Sequence, residues 1–203
     1  MRVVEVAADP AGAVAAAAGV LRAGGVVLIP TDTVYGIAAL PTTVGTAELF
    51  ALKGRPPDQP VAVLADSRPQ VDDVADLSEA AHDLADRFWP GPLTLVVPRR
   101  PGLRFELGDG EEAPAIGVRV PDHALPRALA LEAGPIATTS ANRHGEATPS
   151  LAAEAAAALV AEPALVLDGG LCAGGASTVV DCTTPDPRVL REGPLTAADL
   201  GLS

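Results

Sequence analysis

Aromatic side chains are nearly absent: one tryptophan, one tyrosine and three phenylalanines, 2% of 203 residues. A core without large rings must be built from Val, Leu, Ile and Ala, which suits closely packed layers of helix on sheet. Lysine is rarer still. Lys53 is the only one, and the other basic residues are all arginine. The formal net charge of -12 argues against a protein that coats nucleic acid through a basic surface, and does not exclude a small pocket for a phosphate-bearing metabolite. Two cysteines, Cys172 and Cys182, are too few for a disulfide scaffold and lack paired metal-ligand spacing, so buried or idle thiols are expected. His82, His123 and His144 are dispersed without His-x-x-x-His spacing, and structural or surface roles are expected for them. Long hydrophobic runs are missing too. The apolar stretch AGAVAAAAGVL at 11–21 is too short to span a bilayer. Glu5, Asp9 and Pro10 precede it, where a signal peptide would need positive charge. A soluble, cytoplasmic chain with no membrane partner is expected.

What is present alternates. Short apolar runs at 26–30, 61–65, 93–97, 116–120, 135–139, 164–168 and 177–181 predict buried strands. Helical patterns lie between them at 43–52, 78–88, 123–133 and 150–161, the last with Thr148-Pro149-Ser150 as its start signal. Residues 11–21 predict a further helix, started near Asp9-Pro10 and stopped at Gly24-Gly25. This order predicts an α/β fold, one mixed sheet flanked by helices, with a single domain over 1–203. The polar segment 99–114 is expected to be a surface excursion inside that domain.

Four segments put polar residues at strand ends, where open α/β sheets bind ligands. IPTDTVYG (29–36) offers hydroxyls and backbone N–H groups to a ligand, or is a plain strand-to-helix turn. KGRPP (53–57) holds Lys53 and Arg55, whose side chains leave on one face if the segment is extended. In a loop stiffened by Pro56 and Pro57 they read either as a polyphosphate clamp or as a solvated pair at a helix end. TTSANRHG (138–145) reads as a phosphate or ribose loop, or as an Asx or Ser/Thr turn. The last is the pair GGASTVVD and VLREGPLT, with Ser177-Thr178 opening a strand and Arg191 beside a Gly-Pro turn. No Walker loop, GxGxxG after the first strand, His-Glu-x-x-His or nucleophile elbow is present.

PTDTVYGI, KGRPPDQP, WPGPLT, VRVP, TTSAN, STVVD and LREG occur in that order between about Gly25 and Pro194. As an ordered set they resemble the YrdC-like family, the threonylcarbamoyl-AMP synthases, in its short single-domain form. The resemblance implies the YrdC-like fold, a twisted mixed sheet with a ligand cleft. It implies that L-threonine and bicarbonate form a carbamate, which attacks the α-phosphate of ATP to give threonylcarbamoyl-AMP and pyrophosphate. Other proteins then transfer the threonylcarbamoyl group to the tRNA adenosine beside the anticodon. Magnesium on the phosphates is expected, with no protein ligand to name.

By the family pattern Lys53 and Arg55 carry catalysis and bind ATP together with Gln59, Ser140, Asn142, Thr148 and Arg191. Thr33, Arg119, Thr138 and Ser177 fall at L-threonine positions. No general base is obvious, and positioning with electrostatics suits phosphoryl-type chemistry. The chain departs from the pattern at Leu64, where some relatives carry a histidine, at Ala115, where some have threonine, and at 143–146, where RHGE replaces the common L-S-G. Two alternatives stay open. One is a carbamoyl-adenylate former with another acceptor. The other is a non-catalytic RNA-binding or ribosome-maturation factor, with direct RNA binding disfavoured by the net charge.

Overall fold

A computed structural model describes residues 1–56, 58–110 and 113–202. The strands are β1 (Arg2–Glu5), β2 (Val27–Ile29), β3 (Gly36–Ala39), β4 (Ala62–Leu64), β5 (Leu93–Pro98), β6 (Ala115–Arg119), β7 (Ile136–Ser140), β8 (Leu165–Asp168), β9 (Thr178–Asp181) and β10 (Arg188–Arg191). The helices are α1 (Pro10–Arg22), α2 (Thr43–Lys53), α3 (Arg68–Asp72), α4 (Glu79–Phe88), α5 (Ala124–Ala133), α6 (Ala152–Ala157) and α7 (Ala197–Leu200). All strands join one sheet in the order β1-β8-β2-β3-β7-β4-β6-β5-β9-β10. The sheet is mixed, as expected: β8 runs parallel to β1 and β2, whereas β7 is antiparallel to β3 and β4.

The period of two in the strands divides the core between the sheet's faces. Val27, Ile29, Ala38, Leu64, Leu165 and Leu167 pack with α1 and α5 on one side. Leu28, Ile37, Val63 and Val166 join the larger cluster on the other. Helix α1 reaches the sheet with alanines, Ala13, Ala17 and Ala18, which let it approach closely. Its start follows the sequence signal: Asp9 accepts from the Gly12 N–H at 2.9 Å, and Pro10 occupies the first turn.

Three strands go beyond the sequence reading. β1 and β10 are sheet edges with mostly exposed side chains, so no apolar run marks them. β3 lies where a turn into a helix was one of the readings; instead the chain turns back and pairs with β2. The predicted helix 150–161 shrinks to α6. Ser150 does not cap it, because its carbonyl accepts from Cys172 N, and Val160 N is drawn away to Leu52 O at 2.8 Å. Among the described residues no helix is long and apolar enough to cross a membrane. Cys172 and Cys182 are buried free thiols.

The segment 99–114 is not a simple surface excursion. Leu107 is 1% exposed, and its carbonyl accepts from Val61 N. Arg99 lies buried beneath the segment, donating to the Phe105 carbonyl at 2.9 Å and to Asp109 at 3.1 Å. The excursion is thereby folded back along the sheet. Glu111 and Glu112 lie outside the described residues.

Candidate active site

Small and polar residues share one face across the middle of the sheet. Thr138 of β7 pairs with Ala62 of β4, and Gly117 of β6 pairs with Val96 of β5. Successive strand residues alternate faces, so Thr94, Gly117, Arg119, Thr138 and Ser140 can line a floor while Val63, Leu95 and Val118 stay in the core. Above that floor is a cavity of about 340 Å³. Gly117 keeps the floor low. A Cβ there would stand 3.5 Å from that of Ala62 and project into the cavity.

Of the residues singled out in the sequence, Thr33, Arg55, Arg119, Thr138, Ser140, Ser177 and Arg191 line this cavity. Lys53, Gln59, Asn142 and Thr148 are not among its lining residues. Leu64 and Ala115, two of the departures, are also in the lining.

The structure departs from both readings of the Lys53 and Arg55 pair. Their segment is not extended. Lys53 is the last residue of α2, and Gly54 takes the left-handed conformation with φ 63° that ends the helix. Nor is Lys53 a solvated cation. It is 2% exposed, and its ammonium donates to the Ser140 carbonyl at 2.5 Å, Asn142 Oδ1 at 2.8 Å and Ser140 Oγ at 3.1 Å. The Asn142 carbonyl lies at 3.3 Å. These oxygens hold the proton on, while burial and then the charge of Arg55 push it off, bringing Lys53 down to about 8. In this structure Lys53 shapes the Ser140–Asn142 loop from behind instead of facing the cavity. The same loop is braced by Thr148, which donates to Asn142 Oδ1 at 3.3 Å, and by Asn142 Nδ2 donating to Glu146 O at 2.6 Å. The RHGE sequence thus forms a turn pinned to α2, His144 N donating to Lys53 O at 3.2 Å, with Gly145 at φ 84°.

Arg55 does reach the cavity. Its guanidinium donates to the carbonyls of Gln59 at 2.9 Å and Pro60 at 3.1 Å, so it is held by its own loop; this carbonyl is the contact through which Gln59 joins the site. Arg191 is held across the strands, donating to the Ser177 carbonyl at 2.8 Å. Ser177 Oγ in turn lies 2.8 Å from Thr94 Oγ1. The approach of β10 to β9 requires Gly193, where a Cβ would meet the Ala176 carbonyl at 2.2 Å.

Arg119 is the deepest of the three guanidiniums. It donates from Nε to Gly91 O at 2.9 Å, from Nη1 to Thr33 Oγ1 at 3.0 Å and from Nη2 to Asp32 at 2.6 Å. Burial lowers the pKa of Arg55, Arg119 and Arg191 alike; the charge of Arg191 lowers the first two further, and Asp32 opposes this at Arg119. Arg191 is thus close enough for its charge to be felt at both other guanidiniums, and three cations around one cavity form a field suited to a polyanion. Thr138 adds a neutral group: its Oγ1 is buried and has no hydrogen-bond partner. Among the described residues no group of three His, Cys, Asp or Glu side chains is placed to hold a metal ion.

Sequence reasoning passed over Thr94, Asp32, Leu107 and Asp109. Thr94 and Asp32 lay inside quoted motifs, and a threonine within the apolar run LTLVV was a readable signal. Leu107 and Asp109 had none, because only the fold of their segment brings them to the cavity.

The Sua5/YciO/YrdC family model, described as "Telomere recombination", matches residues 19–193. This chain belongs to that family. A Mycobacterium tuberculosis member is 40% identical over 185 residues, which is 90% of this chain and 84% of the relative. A Bacillus subtilis member named threonylcarbamoyl-AMP synthase is 41% identical over 188 residues, 90% of this chain and 54% of the relative. Among solved family structures, Pyrococcus abyssi Sua5 complexed with L-threonine superposes with a TM-score of 0.83 at 36% identity. The match covers 92% of this chain and 56% of that one, so the chain spans about half the length of these longer members.

Proposed function

We propose that this chain is an ATP-dependent L-threonylcarbamoyladenylate synthase. The observation that carries the reading is the convergence of Arg55, Arg119 and Arg191 with Thr33, Thr138, Ser140 and Ser177 on one cavity, in a chain whose net charge is -12. Family membership and relatives that bear this name support it. The continuous sheet supports reading 1–203 as one catalytic domain.

The amine of L-threonine combines with bicarbonate, losing water, to give a carbamate. A carbamate oxygen attacks the α-phosphorus of ATP; the new P–O bond forms as the bond to the β-phosphate bridge breaks, and pyrophosphate leaves. Charge grows on the phosphoryl oxygens during attack, so fixed cations stabilise the transition state more than the ground state. Arg55 and Arg191 supply those cations, and the Ser140–Asn142 loop adds hydroxyl and backbone donors. Lys53, Gln59 and Thr148 act by setting the shape of these loops. Arg119 has three of its five N–H groups occupied, leaving two for the threonine carboxylate. Thr33, Thr138 and Ser177 offer hydroxyls to the amino acid. A magnesium ion would enter with the phosphates, where it would neutralise charge. The product serves tRNA-modifying transferases in the cytoplasm, which move the threonylcarbamoyl group to the adenosine next to the anticodon.

Incubating the protein with ATP, bicarbonate and L-threonine tests the reading. Pyrophosphate and the mixed anhydride should appear together and only with threonine present. Pyrophosphate release that ignores threonine, or none at all, overturns it. Arg55→Ala should lower kcat/KM by about tenfold to a hundredfold, the equivalent of one charge-assisted contact of roughly 1.5–3 kcal/mol.

A further inference from the structure

Arg119 turns into the active-site cavity, and the next residue, Val120, lines a second cavity of about 380 Å³. Its walls come from the turn after β4 and the start of α3 (Asp66, Ser67, Arg68), from α4 (Ala85, Asp86), from Trp89-Pro90, and from Arg127 of α5.

The charges of this cavity do not close among themselves. Arg68 is fully engaged: it pairs with Asp72 at 3.2 Å and Asp86 at 3.3 Å, and its remaining nitrogen meets His82 Nδ1. Those contacts also account for Asp86. Two charges are left. Among the described residues Arg127 has no hydrogen-bond or ion-pair partner, and its Nε is buried. Asp66 accepts only from the neighbouring Ser67 hydroxyl, at 2.9 Å, and no cation lies within ion-pair distance of it. An unpaired guanidinium and an unpaired carboxylate therefore line one cavity without reaching each other. Ala85, Trp89, Pro90 and Val120 supply an apolar wall between charged ends.

We propose that this second cavity is a binding site for a free α-amino acid with an apolar side chain. The ligand's carboxylate pairs with Arg127, its ammonium with Asp66, and its side chain lies against Trp89 and Val120. The reason is electrostatic. A simple anion would satisfy Arg127 but face Asp66 and Asp86, and a simple cation would face Arg127 and Arg68. A zwitterion meets both unpaired groups with the correct sign.

Trp89 is the only tryptophan, so its fluorescence reports directly on this cavity. The full chain is titrated with L-leucine, N-acetyl-L-leucine and L-leucinamide. Leucine should give a saturable change with a midpoint below about 10 mM, and each blocked compound should bind at least about tenfold more weakly, having lost one charged contact. The leucine response should vanish in Arg127→Met, weaken in Asp66→Asn, and persist in Arg119→Met, which disables the first cavity. Thermal melts establish that each variant is folded, and the comparison of blocked with free leucine needs no variant. No saturable change, an equal response to N-acetyl-leucine or leucinamide, or a response lost only in Arg119→Met would overturn the proposal.

Discussion

Asp32 accepts a hydrogen bond from Arg119 at 2.6 Å, and both side chains are almost wholly withdrawn from water, at 12% and 7% exposure. The second oxygen of Asp32 is buried with no partner. A pair of this kind orients the guanidinium more than it stabilises the fold, but breaking it leaves a buried charge uncompensated. Asp32→Ala should lower unfolding free energy by about 3–5 kcal/mol in urea melts. Asp32→Asn keeps an acceptor and should lose only about 1–2 kcal/mol. Its KM for L-threonine should still rise, because Arg119 is no longer held by a charge.

Lys53 predicts a pH dependence with opposite signs for activity and stability. Its folded-state pKa of about 8 lies below the ordinary 10.5. Raising the pH through about 8 removes the proton that binds the Ser140–Asn142 loop, so kcat/KM should fall on an alkaline limb there. Between about 8 and 10.5 the unfolded chain binds a proton that the folded chain has lost. This residue's contribution to stability therefore rises with pH across that window. Lys53→Met should have lower activity without that limb, and the limb's persistence would remove Lys53 as its source.

Thr138→Val separates binding from folding. The hydroxyl is buried and unpartnered in the free protein, so replacing it with a methyl of the same shape should leave stability unchanged or raise it by up to about 1 kcal/mol. If that hydroxyl meets the substrate, kcat/KM for L-threonine falls. Isothermal titration and thermal melts on the same sample decide it. Unchanged threonine affinity would remove the hydroxyl from the site.

Gly193→Ala tests the join of β9 and β10. The added methyl would collide with backbone, the Ala176 carbonyl at 2.2 Å and Thr178 N at 2.7 Å, which a rotamer change cannot relieve. We expect a loss of about 1–3 kcal/mol in stability. Activity should fall further than that loss explains, because Arg191 is displaced from the Ser177 carbonyl.

The strands that were legible in the sequence are the buried ones, such as LTLVV and ALVLD, whose apolar runs reflect burial on both faces. β1 and β10 were not, because an exposed edge strand needs no such run. β3, with Gly-Ile-Ala-Ala, has no alternation to read; it becomes a strand because β2 and β7 supply hydrogen-bond partners on either side. At the site, the family pattern groups Lys53 with Ser140 around one nucleotide, but only the fold shows that these side chains, 87 positions apart, bond each other directly. The same holds for the folded-back 99–114 segment, whose Leu107 and Asp109 look like ordinary surface residues until the chain closes over the sheet.

By itself the sequence determined the α/β alternation, the small-side-chain core and the set of hydroxyl, amide and arginine residues at strand ends, because burial and turn chemistry are written in local composition. The tertiary structure alone decided which of those residues face the cavity. Arg55, Arg119 and Arg191 meet there because strands distant in sequence lie side by side in the sheet. Lys53 was turned away from it, because its buried ammonium spends its three donors on oxygens of the loop that forms the cavity's wall.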